Sequence, residues 1–313
     1  MYYPYLRGKQ FELIALREYA ALYDNYKVIP IIEPVKTAFS NMKLAITTMK
    51  KNALKFVLIL NPQVGDIIDG TQVIETGLVD VLADRTAWSP AFIVNNNNQQ
   101  QIYTNISNQN YQDVFLICQD NLDTSAPSLE QIIQMENVTH IILDASHSRM
   151  KRLADKTKKS VIRLDDNFRQ QRINKDYLTI TEEMFTEEHN FFANDGYDGV
   201  SDYTVLSSEF VDGGMLPFAV AIHWTYEKNS DSIWVRHFVS DSNVDRTNIQ
   251  RKFAEASRKA IDFFHSNNIE NHTVEELKRY FREGQYPGLG VIKKLSIKNH
   301  FELMNQIFTR REV

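Results

Sequence analysis

Seven short apolar runs, each continuous and each followed by a helix-like stretch, constrain this chain more than any other feature. They are Tyr2–Leu6, Val28–Ile32, Phe56–Leu60, Ala91–Val94, Val114–Cys118, His140–Leu143 and Val161–Leu164. A strand with one wet face alternates apolar and polar residues. An unbroken apolar run is buried on both faces, as in a parallel sheet covered by helices. Helical spacing recurs between the runs, over about 10–23, 40–51, 71–82 and 128–135, with a short helix near 150–154. The polar tract Asn95–Gln101 reads as a loop, with a polar helix after it. This alternation argues for right-handed βαβ units and the α/β class. An open doubly wound sheet is the alternative, but no glycine-rich phosphate turn follows the first run. Seven units and one later strand close a (β/α)8 TIM-like barrel, for which 313 residues suffice.

The pattern changes after Leu164. Residues 165–216 are polar and irregular and read as a long insertion before the last strand. Phe218–Tyr226 and Ile233–Val239 follow as a β-hairpin, one strand of which is expected to complete the barrel. A long amphipathic helix over about 245–266 comes next, then helices over about 273–282 and 298–309. Thr273 with Glu276 fits a capping box, and Gly288-Leu289-Gly290 reads as a turn. The expected division is a barrel over 1–268, including insertion 165–216 and hairpin 218–239, and a helical C-terminal extension over 269–313 packed on it.

The N-terminus lacks the apolar core of a signal peptide, and no run is long enough to span a bilayer, so a cytoplasmic protein is expected. Cys118 is the sole cysteine, which excludes an intramolecular disulfide; its apolar run suggests a buried, inert thiol. A net charge of −5 gives no general attraction to nucleic acid. Only a local patch would do that, and Arg149, Lys151, Arg152, Lys156, Lys158 and Lys159 form the candidate.

Function in such a barrel sits where the strands end. Polar groups end nearly every run, and Glu33 and Asp144 each follow unbroken apolar sequence. A carboxyl at the rim of a dry interior suits acid/base chemistry, and Asp165 adds another acid. Arg7 and Lys9, which end the first run, are the candidate anion binders. Carboxylates near His147 are residue types that can hold a divalent metal. No His-Glu-x-x-His or paired Cys-x-x-Cys spacing exists, so no cofactor is expected on spacing. Ser146 and His147 beside Asp144 lack a Gly-x-Ser-x-Gly elbow, which excludes a serine hydrolase of that type. If the hairpin turns near residue 230, His223 faces His237 across the strands, with Asp241 further along the same face.

The segment Tyr3-Pro4-Tyr5-Leu6-Arg7-Gly8-Lys9-Gln10-Phe11-Glu12-Leu13, followed by Ile29-Pro30-Ile31-Ile32-Glu33-Pro34, resembles the start of the phage and bacterial beta protein family. Gly199–Tyr203, Ala219–His223 and Val235–Asp241 are similar to a bacterial branch of it. The resemblance singles out Arg7, Lys9, Glu12, Glu33, Asp202, His223 and His237. It implies a bacterial cytoplasmic protein of a phage-defence or mobile-element system, acting through a protein partner encoded nearby. It supplies no catalytic mechanism. Two other functions follow from the residues: a barrel hydrolase of phosphate esters or nucleotides using Glu33, Asp144 and Asp165, and nucleic-acid binding through the basic patch.

Overall fold

The computed structural model describes residues 1–23, 26–213, 217–229 and 231–311. They form two compact units: Met1–Leu13, Ala20–Asp165 and Glu188–Asp202 in the first; Ile14–Tyr19, Asp166–Glu187 and Tyr203–Val313 in the second.

The first unit is a closed barrel of eight parallel strands. They are β1 (Tyr2–Leu6), β2 (Ile31–Ile32), β3 (Phe56–Ile59), β4 (Trp88–Val94), β5 (Val114–Cys118), β6 (Val138–Asp144), β7 (Ser160–Asp165) and β9 (Gly199–Asp202). Between them run α1 (Gln10–Ala20), α2 (Ser40–Lys51), α3 (Thr71–Gly77), α4 (Val79–Leu82), α5 (Gln99–Gln109), α6 (Pro127–Gln134), α7 (Ser148–Ala154) and α8 (Glu188–Phe191). The apolar runs are strands because both faces are covered; β3 and β5 are buried at every position. The second run yields only two strand residues, since Pro30 and Pro34 flank it and proline cannot donate to a ladder. Neighbours in register run Tyr5, Ile31, Val57, Ser89 on one side and Phe115, His140, Ser160 on the other. Tyr3 on β1 and Phe115 on β5 meet with ring centroids 6.1 Å apart, so this alternate set points into the barrel.

The barrel closes earlier than the sequence suggested. The eighth strand is β9, inside the supposed insertion, and it pairs back to β1 with Tyr2 opposite Val200. Four residues containing glycine, serine and aspartate carry no apolar run to detect. Gly199 is required there: a Cβ would sit 2.8 Å from the Tyr3 ring and 3.0 Å from the Met1 carbonyl. The hairpin therefore does not complete the barrel, and it groups with the second unit. The Gln residues expected in a loop instead begin α5, where the Asn98 carbonyl accepts from Ile102 N–H at 2.9 Å.

The second unit holds a three-stranded antiparallel sheet of β10 (Ala221–Lys228), β11 (Ser232–Val239) and β8 (Glu182–Thr186), in the order β10-β11-β8. Residue 230, at the expected hairpin centre, lies outside the described residues. Three helices follow: α9 (Ile249–Ser266), α10 (His272–Arg282) and α11 (Leu289–Arg310). Their core packs Trp224 and Phe238 against Phe253, Phe264, Leu277 and Leu295. The capping box does not form. Asn271 caps α10 by accepting from Val274 N–H at 2.7 Å, and Glu276 turns to Lys294 and Lys298. The last helix begins at Leu289, not near 298, and runs straight through Gly290. Among the described residues no helix is long and apolar enough to cross a membrane.

Lys294 and Lys298 are 4% and 5% exposed and share two carboxylates. Lys294 lies 2.8 Å from Glu18 and 2.6 Å from Glu276; Lys298 lies 2.8 Å from Glu18 and also contacts Glu276. Burial pushes the Glu276 carboxyl up, but the two ammonium groups outweigh it and hold it below its ordinary value. Such a group stabilises the fold fully above its unfolded pKa and loses that effect as pH falls through the folded one. Glu276→Ala is expected to cost about 3 kcal/mol at neutral pH, read by urea denaturation. The difference should shrink on acidification below roughly pH 4, the ordinary glutamate range. An unchanged midpoint at pH 7 would contradict the role assigned to this cluster.

Candidate functional site

Glu33 follows β2 and is fully buried. Both its oxygens are engaged. Oε2 accepts from the Tyr5 hydroxyl at 2.7 Å and from the Arg7 guanidinium; Oε1 accepts from the Gln63 backbone N–H at 2.8 Å. The Arg7 guanidinium also lies 5.0 Å from the Tyr5 ring centre. One residue further, Gly8 has φ +60°, and a Cβ there would be 3.0 Å from the Glu33 carbonyl. That left-handed turn swings the chain into α1, where buried Glu12 accepts from Arg7 N–H at 2.7 Å and Lys9 N–H at 3.4 Å. The N-terminal motif thus builds one hub.

Strand alternation separates the other acids. Asp144 belongs with His140 and Ile142 to the inward set, and its carboxylate accepts from Ser146 N–H at 2.7 Å in the turn entering α7. Asp165 and Asp202 lie opposite each other on the outward set. Burial raises the Asp165 carboxyl; Arg163, 2.8 Å away, opposes this, and Asp202 and Asp144 add to it. Asp202 accepts from the Tyr2 hydroxyl at 2.6 Å. Glu33 and Asp144 therefore share a face that Asp165 does not. Among the described residues no group of three histidine, cysteine, aspartate or glutamate side chains could hold a metal ion.

The basic patch divides. Lys151 pairs with Asp155 and stands 4.9 Å from the Tyr197 ring centre, and Lys159 donates to the Met135 carbonyl at 2.7 Å. Arg149, Arg152, Lys156 and Lys158 are exposed. Cys118 is buried, and burial pushes its thiol up to about 12, as an inert cysteine requires.

The second unit contains a cavity of about 450 Å³. Its walls come from the segments after β7 and β9, from Phe218, from β10 and from the first turns of α11. Arg172, Lys175, Arg246 and Lys293 line it, and among the described lining residues there is no aspartate or glutamate. Phe168, Tyr177 and Phe218 supply aromatic surface. Sequence reading missed these cations because they lie on three separate segments, around 172–175, 246 and 293; the length of the stretch after Leu164 was the signal it offered.

His223 lines this cavity and faces His237 in register, with the two Nδ1 atoms 2.8 Å apart. The Phe168 ring meets His223 edge-on at 5.1 Å, and Tyr177 lies 4.5 Å from each imidazole. Burial and the neighbouring His237 hold His223 well below the usual histidine value, and burial pushes His237 down to about 4. Asp241 does not join them. β11 ends at Val239, so alternation no longer applies, and Asp241 pairs with Lys259 at 2.7 Å. The carboxylate beside His237 is Glu183 of β8, 3.4 Å from Nε2.

No family model matches this chain, and no curated protein matches it. Among solved structures it is similar to tryptophan synthase from M. tuberculosis, at 10% identity and a TM-score of 0.39, over 65% of this chain and 83% of that one. It is also similar to FabK from Thermotoga maritima, at 12% identity and a TM-score of 0.37, over 99% and 95%. The barrel itself rests on the hydrogen-bonded strand order.

Glu33→Gln tests the hub. It keeps the shape but removes the buried negative charge that faces the Arg7 guanidinium, itself 15% exposed. The expected cost is about 3 kcal/mol of unfolding free energy, read by urea denaturation. A cost under ~0.5 kcal/mol would remove Glu33 from its structural role.

Proposed function

We propose that this protein binds a phosphorylated small molecule, with a nucleotide as the first candidate, in the cavity of the second unit. The observation that carries this is the lining: four cations, no described carboxylate, and three aromatic faces. The chain as a whole is acidic, with net charge −5, so this local excess of positive charge needs a reason. A volume of about 450 Å³ suits a ligand of nucleotide size. Phosphate esters and nucleotides are also the substrate class expected for a barrel hydrolase.

A second reading places the chain in a phage-defence or mobile-element system, acting through a protein partner. The N-terminal resemblance supports it, as do the exposed apolar residues Leu44 on α2, Val73 on α3 and Val79 on α4. Lys43 and Asp80, beside the first and last of these, pair at 2.9 Å and hold α2 against α4. Val79→Asp should then abolish phage protection in a plaque assay while the chain still folds; undiminished protection would remove this surface from the reading.

Calorimetric titration with AMP at low salt tests the binding reading. Arg172→Ala and Lys175→Ala should each weaken AMP by about tenfold, the worth of one charge-assisted hydrogen bond. Affinity should fall as salt rises. No binding at millimolar AMP, or full binding in both variants, would overturn it.

A further inference from the structure

The histidine pair continues into a chain of three groups that ends at the cavity. Glu183 lies 3.4 Å from His237 Nε2, His237 Nδ1 lies 2.8 Å from His223 Nδ1, and His223 lines the cavity wall. The hydrogen positions follow from elementary bookkeeping of donors and acceptors. An ionised carboxylate only accepts, so His237 donates its Nε2–H to Glu183. A neutral imidazole carries one proton, which leaves His237 Nδ1 as a bare acceptor. His223 must then donate its Nδ1–H to that acceptor. Its own Nε2 is left without a proton, on a side chain that lines the cavity.

The surroundings fix this arrangement. His237 N–H donates to the Thr181 carbonyl at 2.8 Å, which anchors β11 where it passes the segment before β8. Arg169 lies 3.6 Å from the other Glu183 oxygen and opposes the upward push of burial on that carboxyl. Phe168 and Tyr177 pack against both rings and hold them in place. Both imidazoles remain neutral at neutral pH, because burial disfavours the charged form of each.

We infer that Glu183, His237 and His223 form a relay that presents a bare Nε2 acceptor to the cavity, and that this acceptor selects a phosphorylated ligand carrying a hydroxyl or amine donor over inorganic phosphate. The inference rests on the anion-site reading of the same cavity. The cations take the phosphate, the aromatic rings take a planar or apolar body, and His223 takes the donor. A ribose hydroxyl or the exocyclic amine of a base would satisfy it. A polar group built to meet a partner discriminates strongly against molecules that lack one, since it is left unpaired in their complexes.

Two measurements test this. Nitrogen-15 NMR of the histidine-labelled wild-type protein at neutral pH should show His223 protonated on Nδ1 and His237 protonated on Nε2. His223 protonated on Nε2, or charged, would overturn the relay without any variant being made. Titrations of wild type and His223→Phe with AMP, ribose 5-phosphate and inorganic phosphate then test selection. AMP should weaken about tenfold in the variant, and inorganic phosphate by less than about twofold. A matching loss for ribose 5-phosphate assigns the donor to the sugar; a loss confined to AMP assigns it to the base. Unchanged AMP affinity in His223→Phe overturns the selection while leaving the anion site intact. Failure of wild type to bind any of the three overturns the anion site itself, and the selection with it.

Discussion

The carboxylate of Glu33 is the interaction on which the barrel rim depends. A charged oxygen pair with no exposure is costly unless every lone pair direction finds a donor. The donors come from Tyr5, Arg7 and the Gln63 backbone, so one side chain ties together the ends of the first three strands. The rest of the N-terminal motif follows from that need. Arg7 must lie at the end of β1, the chain must turn sharply past Glu33, and only Gly8 fits the turn. Glu12 then secures the backbone of the turn as α1 begins. A sequence that looks like a binding signature is, in this geometry, a joint.

Much of the fold was legible because burial on two faces erases alternation. Six of the seven apolar runs became strands of four residues or more, within three residues of the expected limits. What escaped detection did so for physical reasons. β9 completes the barrel with four residues that need little hydrophobicity, since Gly199 lets it lie tightly against Tyr3. The stronger β10 and β11 signals drew the expectation of closure away from it. α11 was cut short because Lys294 and Lys298 look like solvent-facing residues, and only tertiary partners reveal them as buried. The cap at α10 went to Asn271, since the glutamate that would have completed a capping box was claimed by those lysines.

The candidate site was legible in part. Pairing of His223 with His237 follows from the hairpin centre alone, because opposed residues in a register share a constant sum. Glu183 could not be assigned to them, because β8 joins the sheet from forty residues or more upstream. The cations of the cavity come from the 172–175 segment, the bend before α9 and the start of α11, with no common spacing. Strand-end reasoning pointed to Glu33 and Asp144, whose alternation is shared, and to Asp165, whose alternation is not. Parity along a strand is decided by register, and register is a property of the pair rather than of either sequence.

The buried lysines of α11 have a consequence for how the chain finds its native arrangement. They lie one helical turn apart and share two carboxylates, so the four charges match at a single setting of the helix. Sliding α11 by one turn, about 5.4 Å, would bring one lysine into the place of the other and strand its twin among apolar neighbours. A purely apolar helix buried on nearly every face would accept several such settings at similar energy. The charges act as an index mark that makes one of them distinct, trading some stability for a single answer.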